Sequence, residues 1–203
     1  MRRVRLLPVF VFACLLVPGV AHAAAYAPAP GQVFHSGAGG YHPGAIDDFT
    51  AQSGKHPAVF QYFVSWRSGA SDVRFLERLL HNSDRAHSRV AFAVSTKGTG
   101  LSPGALAAGE GDGFLLALNR MLGEHARPTY LRLLSEMNNA DNPYSAYTHS
   151  GRSRGPAFST RMFKQAWRRA VLVVRGGGRV PGRVTRPGCA LHRLGERQRF
   201  WLG

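Results

Sequence analysis

Two hydrophobic rhythms alternate along the chain. Residues 58–66 (AVFQYFVSW), which follow Pro57, and residues 89–95 (RVAFAVS) are β-branched and aromatic almost without interruption. Near-continuous apolarity of this kind marks strands buried on both faces, as in a parallel sheet covered by helices. Between and after these runs the spacing shifts to that of a helix. Residues 71–81 place Val73, Leu76, Leu79 and Leu80 on one face, and residues 114–122 do the same with Leu115, Leu118 and Leu122. A further strand is predicted at 129–136 (TYLRLLSE), started by Pro128.

The most regular helix follows an Asn/Pro/Tyr loop. Ser159 is its expected N-cap, with Phe158 before the cap and Phe163 one turn in, the spacing of a hydrophobic staple. Phe163, Ala166, Trp167, Ala170, Val171 and Val174 then form an apolar stripe, which assigns Trp167 to the core. Nearer the start, residues 32–35 read as a short strand that ends at a glycine loop, 36–40 (SGAGG). Residues 45–52 read as a short helix closed by Ser53-Gly54, and the stretch after residue 95 reads as a loop rich in Gly and Ser. Four strand-then-helix units with buried strands predict an α/β protein, either a (β/α)8 barrel or an open doubly wound sheet. No sequence repeat accompanies the alternation.

The two ends of the chain differ from this pattern. Residues 1–23 carry Arg2, Arg3 and Arg5, an apolar run over residues 6–20 and then Ala21-His22-Ala23, the order of a cleaved secretory signal. The run is shorter than a membrane span and is broken by Pro8, Pro18 and Gly19, so no membrane association is expected after cleavage. Cys14 sits in mid-run, the wrong place for a lipoprotein signal. Residues 24–30 form an Ala/Pro spacer. Cys189 is left without a partner in the mature chain, so no internal disulfide is expected.

From residue 176 to 203, 15 of 28 residues are Arg, Gly or Pro, with no sustained period. Such a stretch buries too little apolar surface to offset its ordering entropy and is expected to be a disordered tail. Its sudden onset after a well-formed helix fits a shifted reading frame in GC-rich DNA, and equally a basic tail. The formal net charge of +15 raises nucleic acid as a partner. Three of those charges lie in the signal, however, and seven Arg against Glu196 lie between residues 175 and 201, while the rest are scattered over helices. That distribution describes a solvated surface, and nucleic acid is not expected as a partner.

The strongest chemical constellation is residues 130–139 (YLRLLSEMNN). If the strand runs to residue 136, Arg132, Leu134 and Glu136 share a face. An arginine and a carboxylate on an otherwise apolar strand are costly to bury unless they are paired or functional. Both readings are open from the residues alone. The carboxyl end of a barrel strand is where the active sites of such barrels are built.

Arg132-x-x-x-Glu136-Met137-Asn138 at a strand end, followed by aromatics, resembles the acid/base motif of glycoside hydrolase family 26, the β-mannanase-like family. The glycine loop after the first strand, Gly54-Lys55-His56-Pro57, and the second strand ending at Trp66 resemble it as well, so the likeness spans residues 32–175. It implies a (β/α)8 barrel of which residues 31–175 supply about the first four units. It implies retaining hydrolysis of a β-linked, mannan-like polysaccharide or oligosaccharide, without a cofactor or metal. Glu136 matches the proton donor of the fourth strand, with Arg132 and Asn138 beside it.

In the family the nucleophilic Glu lies on the seventh strand, beyond the span of the resemblance. Of the acids here, Asp47, Asp48, Asp72, Glu77, Asp84, Glu110, Asp112 and Glu124 fall in helices or connecting loops, and Asp141 is the only neighbour of Glu136. The nucleophile is therefore expected to be absent. Two positions depart from the family: Ser135 stands where its mannanases commonly have His, and the following loop carries Tyr144 and Tyr147 instead of tryptophans. The resemblance thus implies carbohydrate chemistry without fixing the sugar. Trp66, Tyr144 and Tyr147 are the residues expected to stack on sugar rings. The alternative is a secreted, non-catalytic carbohydrate-binding protein.

Other motifs fail on inspection. Gly100-Leu101-Ser102-Pro103-Gly104 matches G-x-S-x-G, but the residue after Ser must offer an N–H to an oxyanion and Pro103 has none. His35, His42 and His56 lack the clustering of metal ligands.

Overall fold

The computed structural model describes residues 35–66, 70–176 and 198–200. The signal, the spacer and Cys189 lie outside the described residues, as does most of the Arg/Gly-rich tail. The order is β1 (Ser36–Ala38), α1 (Ala45–Ser53), β2 (Val59–Ser65), α2 (Ala70–Arg85), β3 (Arg89–Ser95), α3 (Pro103–Ala108), α4 (Asp112–His125), β4 (Thr129–Leu133), a 3₁₀ turn (Pro156–Phe158), α5 (Thr160–Val174) and β5 (Gln198–Phe200). All five strands are parallel and stand side by side in chain order, β1-β2-β3-β4-β5. The α/β class and the parallel sheet expected from the hydrophobic pattern are therefore present.

Burial on both faces holds on β3, where Val90, Ala91, Phe92, Ala93 and Val94 are all buried, but not on β2. On β2, Phe60, Tyr62 and Val64 are buried, whereas Phe63 is 55% exposed. The buried set meets helices: Phe49 of α1 packs edge-on against Phe60, and the Tyr62 hydroxyl reaches Ser83 of α2. Register carries this face across to Val90, Phe92 and Val94 of β3 and to Thr129, Leu131 and Leu133 of β4. The opposite face runs through Phe63, Ala93 and Arg132, which are aligned across three strands.

Four local expectations are corrected. The first strand lies inside the stretch read as a glycine loop, because a Cβ at Gly37 would stand 2.9 Å from the Phe49 ring: the glycine lets α1 pack closely on the strand. The loop after β3 contains α3, capped by Ser102, whose hydroxyl accepts the N–H of Ala105 at 3.1 Å, with Pro103 in the first turn. β4 ends at Leu133 rather than at residue 136. Within the tail, Gln198–Phe200 pairs with Thr129–Leu131 as a parallel strand, so these three residues depart from the expected disorder.

The helix predicted around residues 159–174 is present. Ser159 caps it by accepting the N–H of Met162 at 3.4 Å, and Trp167 packs against the core half-buried. Its apolar stripe hides a charge: Arg169 is 5% exposed and its Nε donates to Oδ1 of Asp112, itself 1% exposed, at 2.9 Å. This ion pair ties α5 to the first turn of α4. Among the described residues no helix is long and apolar enough to cross a membrane.

Candidate functional site

Leu133 is the last residue of β4 in strand conformation, and the next turns are built from two left-handed residues, Leu134 (φ 54°) and Glu136 (φ 57°). Leu134 still donates its N–H to the carbonyl of Val94 at 2.9 Å, but its side chain is buried in the core cluster. The face-sharing of Arg132, Leu134 and Glu136 expected from simple alternation is thus broken at Leu134. Arg132 and Glu136 nonetheless meet: Nη1 lies 3.8 Å from Oε1, with the arginine 18% and the glutamate 50% exposed.

L-residues enter the left-handed region at a cost of about 1–2 kcal/mol each, and persist there only where surrounding contacts hold them. Here the following loop folds back and does so. The carbonyl of Glu136 accepts the side-chain amide of Asn142 at 2.9 Å and the N–H of Asn139 at 2.9 Å. The carbonyl of Ser135 accepts the Tyr144 hydroxyl at 2.5 Å and the same Asn142 amide at 3.3 Å. Burial pushes the Tyr144 phenol up from its ordinary value, with hydrogen bonding from Ser95 and Ser135 opposing that shift.

The result is a hollow of about 250 Å³ over the carboxyl ends of β2, β3 and β4. Its floor is Phe63 and Ala93, its sides include Ser95 and Lys97, and Glu136, Asn142 and Tyr144 close it. Glu136 is the acid among the described residues that line it. An exposed ring beside a carboxylate, hydroxyls and an amide suits a ligand with one apolar face and many hydroxyl groups.

The structure brings together Arg132, Glu136 and Tyr144 from the sequence expectations and separates the rest. Trp66 is 3% exposed, donates its indole N–H to the carbonyl of Gly111 at 3.1 Å, and lies 5.4 Å from the Phe114 ring. It is a core residue under α4 and presents no face to a ligand, contrary to the stacking role expected of it. Tyr144 is also buried, and meets the site through its hydroxyl rather than its ring face. Tyr147 is exposed but bridges to Ser153 through its backbone, and neither it nor Asn138 lines the hollow. Asp141 is exposed and engaged by His149 at 2.8 Å.

Sequence reasoning missed Phe63, Ser95, Lys97 and Asn142. Phe63 was within reach, because it has the opposite parity to Phe60, Tyr62 and Val64 on β2. No group of three or more His, Cys, Asp or Glu capable of holding a metal occurs among the described residues. The chain matches no protein-family model and no curated protein.

Proposed function

We propose that this chain carries the acid/base side of a glycoside hydrolase site, with Glu136 the proton donor to a β-linked, mannan-like polysaccharide outside the cell. The observation that carries this reading is Glu136 itself: a carboxylate at a parallel-strand end, held in a left-handed conformation by Asn142 and the loop, 3.8 Å from Arg132 and facing a hollow with an aromatic floor. Strained residues of this kind gather where geometry serves chemistry. Strands in uninterrupted chain order, with helices packed on the face opposite the hollow, suit the wall of a (β/α)8 barrel, whose sites lie at the carboxyl ends of its strands. A doubly wound sheet would instead reverse its strand order.

In the retaining mechanism Glu136 gives its proton to the glycosidic oxygen as the C1–O bond breaks. A second carboxylate about 5–5.5 Å away attacks C1. Phe63 takes the apolar face of the sugar ring, and Arg132 orients the Glu136 carboxylate. The attacking carboxylate is not among the described acids of the hollow, so the chemistry is tested with an external nucleophile. Azide attacking C1 of an unactivated aryl β-mannoside forms a C1–N bond, the C1–O bond breaks, and the proton of Glu136 passes to the leaving oxygen. The expected result is an inverted glycosyl azide made by the wild-type chain and lost in Glu136→Gln.

A second reading, carbohydrate binding without catalysis, is favoured by the same lack of a facing acid. It expects oligosaccharide binding with no azide product. Absence of both product and binding to mannan, glucan or xylan oligomers overturns both readings.

A further inference from the structure

From the charges around the hollow we infer that its ligand is an acidic glycan and that Lys97 selects it by pairing with the carboxylate of a uronic acid unit. The inference rests on the carbohydrate reading above and names its substrate class. Lys97 follows β3 directly and lines the hollow, with its side chain exposed. Its backbone is fixed by an N–H donated to the Ser95 hydroxyl at 3.1 Å.

The other charged groups near the hollow are already matched. Glu136 stands against Arg132, and Asp141 against His149 out on the loop. Lys97 has no ion-pair partner among the described residues. A hollow built for a neutral sugar needs hydroxyls, an amide and an aromatic floor, which Ser95, Asn142 and Phe63 supply. An unmatched ammonium on its wall adds attraction only for an anion. Phosphate and sulfate esters share that charge, but a uronate carries its planar carboxylate directly on the sugar ring, whereas an ester adds a bridging oxygen and a bulkier tetrahedral head to a hollow of about 250 Å³.

The test is calorimetric titration of the full chain with two oligosaccharides of equal length and linkage, a β-1,4-oligomannuronate and the neutral β-1,4-oligomannose. The uronate is expected to bind about fivefold more tightly at low salt, the size of effect an exposed ion pair gives. The advantage should disappear in Lys97→Gln, survive in Lys97→Arg, and shrink at high salt. Sulfated oligomannose serves as the third arm and is expected to gain less than the uronate, its bulkier ester fitting the hollow less closely; an equal or larger gain overturns the assignment of the anion as a uronate. Equal or weaker uronate binding, or an advantage untouched by Lys97→Gln, overturns this inference while leaving neutral-sugar binding that depends on Phe63 as support for the carbohydrate reading. Binding of none of the three sugars overturns both. Thermal melts of the exposed-site variants establish that each is folded.

Discussion

Phe63 and Trp66, three residues apart at the end of β2, turn to opposite faces of the sheet: the phenyl ring floors the hollow while the indole is sealed under α4 against Phe114. The two aromatics therefore separate binding from stability. Trp66→Ala is expected to remove about 3–5 kcal/mol of folding stability, the usual cost of truncating a large buried ring, and to orphan the carbonyl of Gly111. Phe63→Ala should change stability by less than about 0.5 kcal/mol, as exposed positions do, and should weaken oligosaccharide binding instead. Urea melts and calorimetric titration of both variants check this. A Phe63→Ala chain that binds sugar as well as the wild type would remove the ring from the site.

The Asp112–Arg169 pair makes a sharper stability prediction. Both groups are buried, and removing one partner leaves an uncompensated charge in the interior. Asp112→Ala is expected to cost about 3–5 kcal/mol, whereas a double replacement of the pair by apolar residues of similar volume should recover most of that loss. Gly109→Ala should also be harmful, since φ is 99° there and a Cβ would stand 2.6 Å from the Arg169 guanidinium. Chemical denaturation of the three variants checks all of this, with a double mutant no better than Asp112→Ala as the contrary outcome.

These cases show why part of the molecule was legible in the sequence. Periodicity identified β2, β3, α2, α4 and α5 because each carries its own apolar residues in sequence, and Ser53-Gly54 marked the end of α1. Strand parity alone places Trp66 with Phe60, Tyr62 and Val64, so its burial was there to be read. Arg169 was not, because its partner Asp112 lies 57 residues away in sequence and only packing of α4 on α5 joins them. The strand at Ser36–Ala38 was hidden because its glycine is chosen for the approach of Phe49, not for a turn. Ser102-Pro103 did carry a helix-start signal, an N-cap followed by proline. At Glu136 simple alternation failed: two left-handed residues, held by hydrogen bonds from Asn142 and Tyr144, reset its direction.

Alkaline pH probes the two buried tyrosines. Tyr62 and Tyr144 both have phenols raised above the ordinary value of 10.0, in each case mainly by burial. A phenol raised in the folded state holds its proton more tightly than in the unfolded chain. Its contribution to stability is therefore complete below pH 10 and declines as pH rises past 10 toward the folded value. Stability should fall with increasing alkalinity above pH 10, and the slope should lessen in Tyr62→Phe and again in a Tyr62→Phe, Tyr144→Phe double variant. Denaturant melts at several alkaline pH values give the slopes, and equal slopes in wild type and double variant would contradict the expectation.

Replacing Glu136 tests whether its backbone conformation serves function at the expense of stability. An L-residue at φ 57° stores about 1–2 kcal/mol that glycine does not. The Glu136 side chain is half exposed and its contact with Arg132 is long, so little packing is lost with it. Glycine also gains entropy in the unfolded chain, which offsets part of the relief. Glu136→Gly is therefore expected to be neutral to about 1 kcal/mol more stable than the wild type, and Glu136→Val markedly less stable, since a β-branched side chain tolerates this backbone poorly. Both variants should lose the azide product. Such an opposition between stability and activity is the usual signature of a site residue, and a Glu136→Gly chain that is clearly destabilised would show that its carboxylate is a structural partner of Arg132 instead.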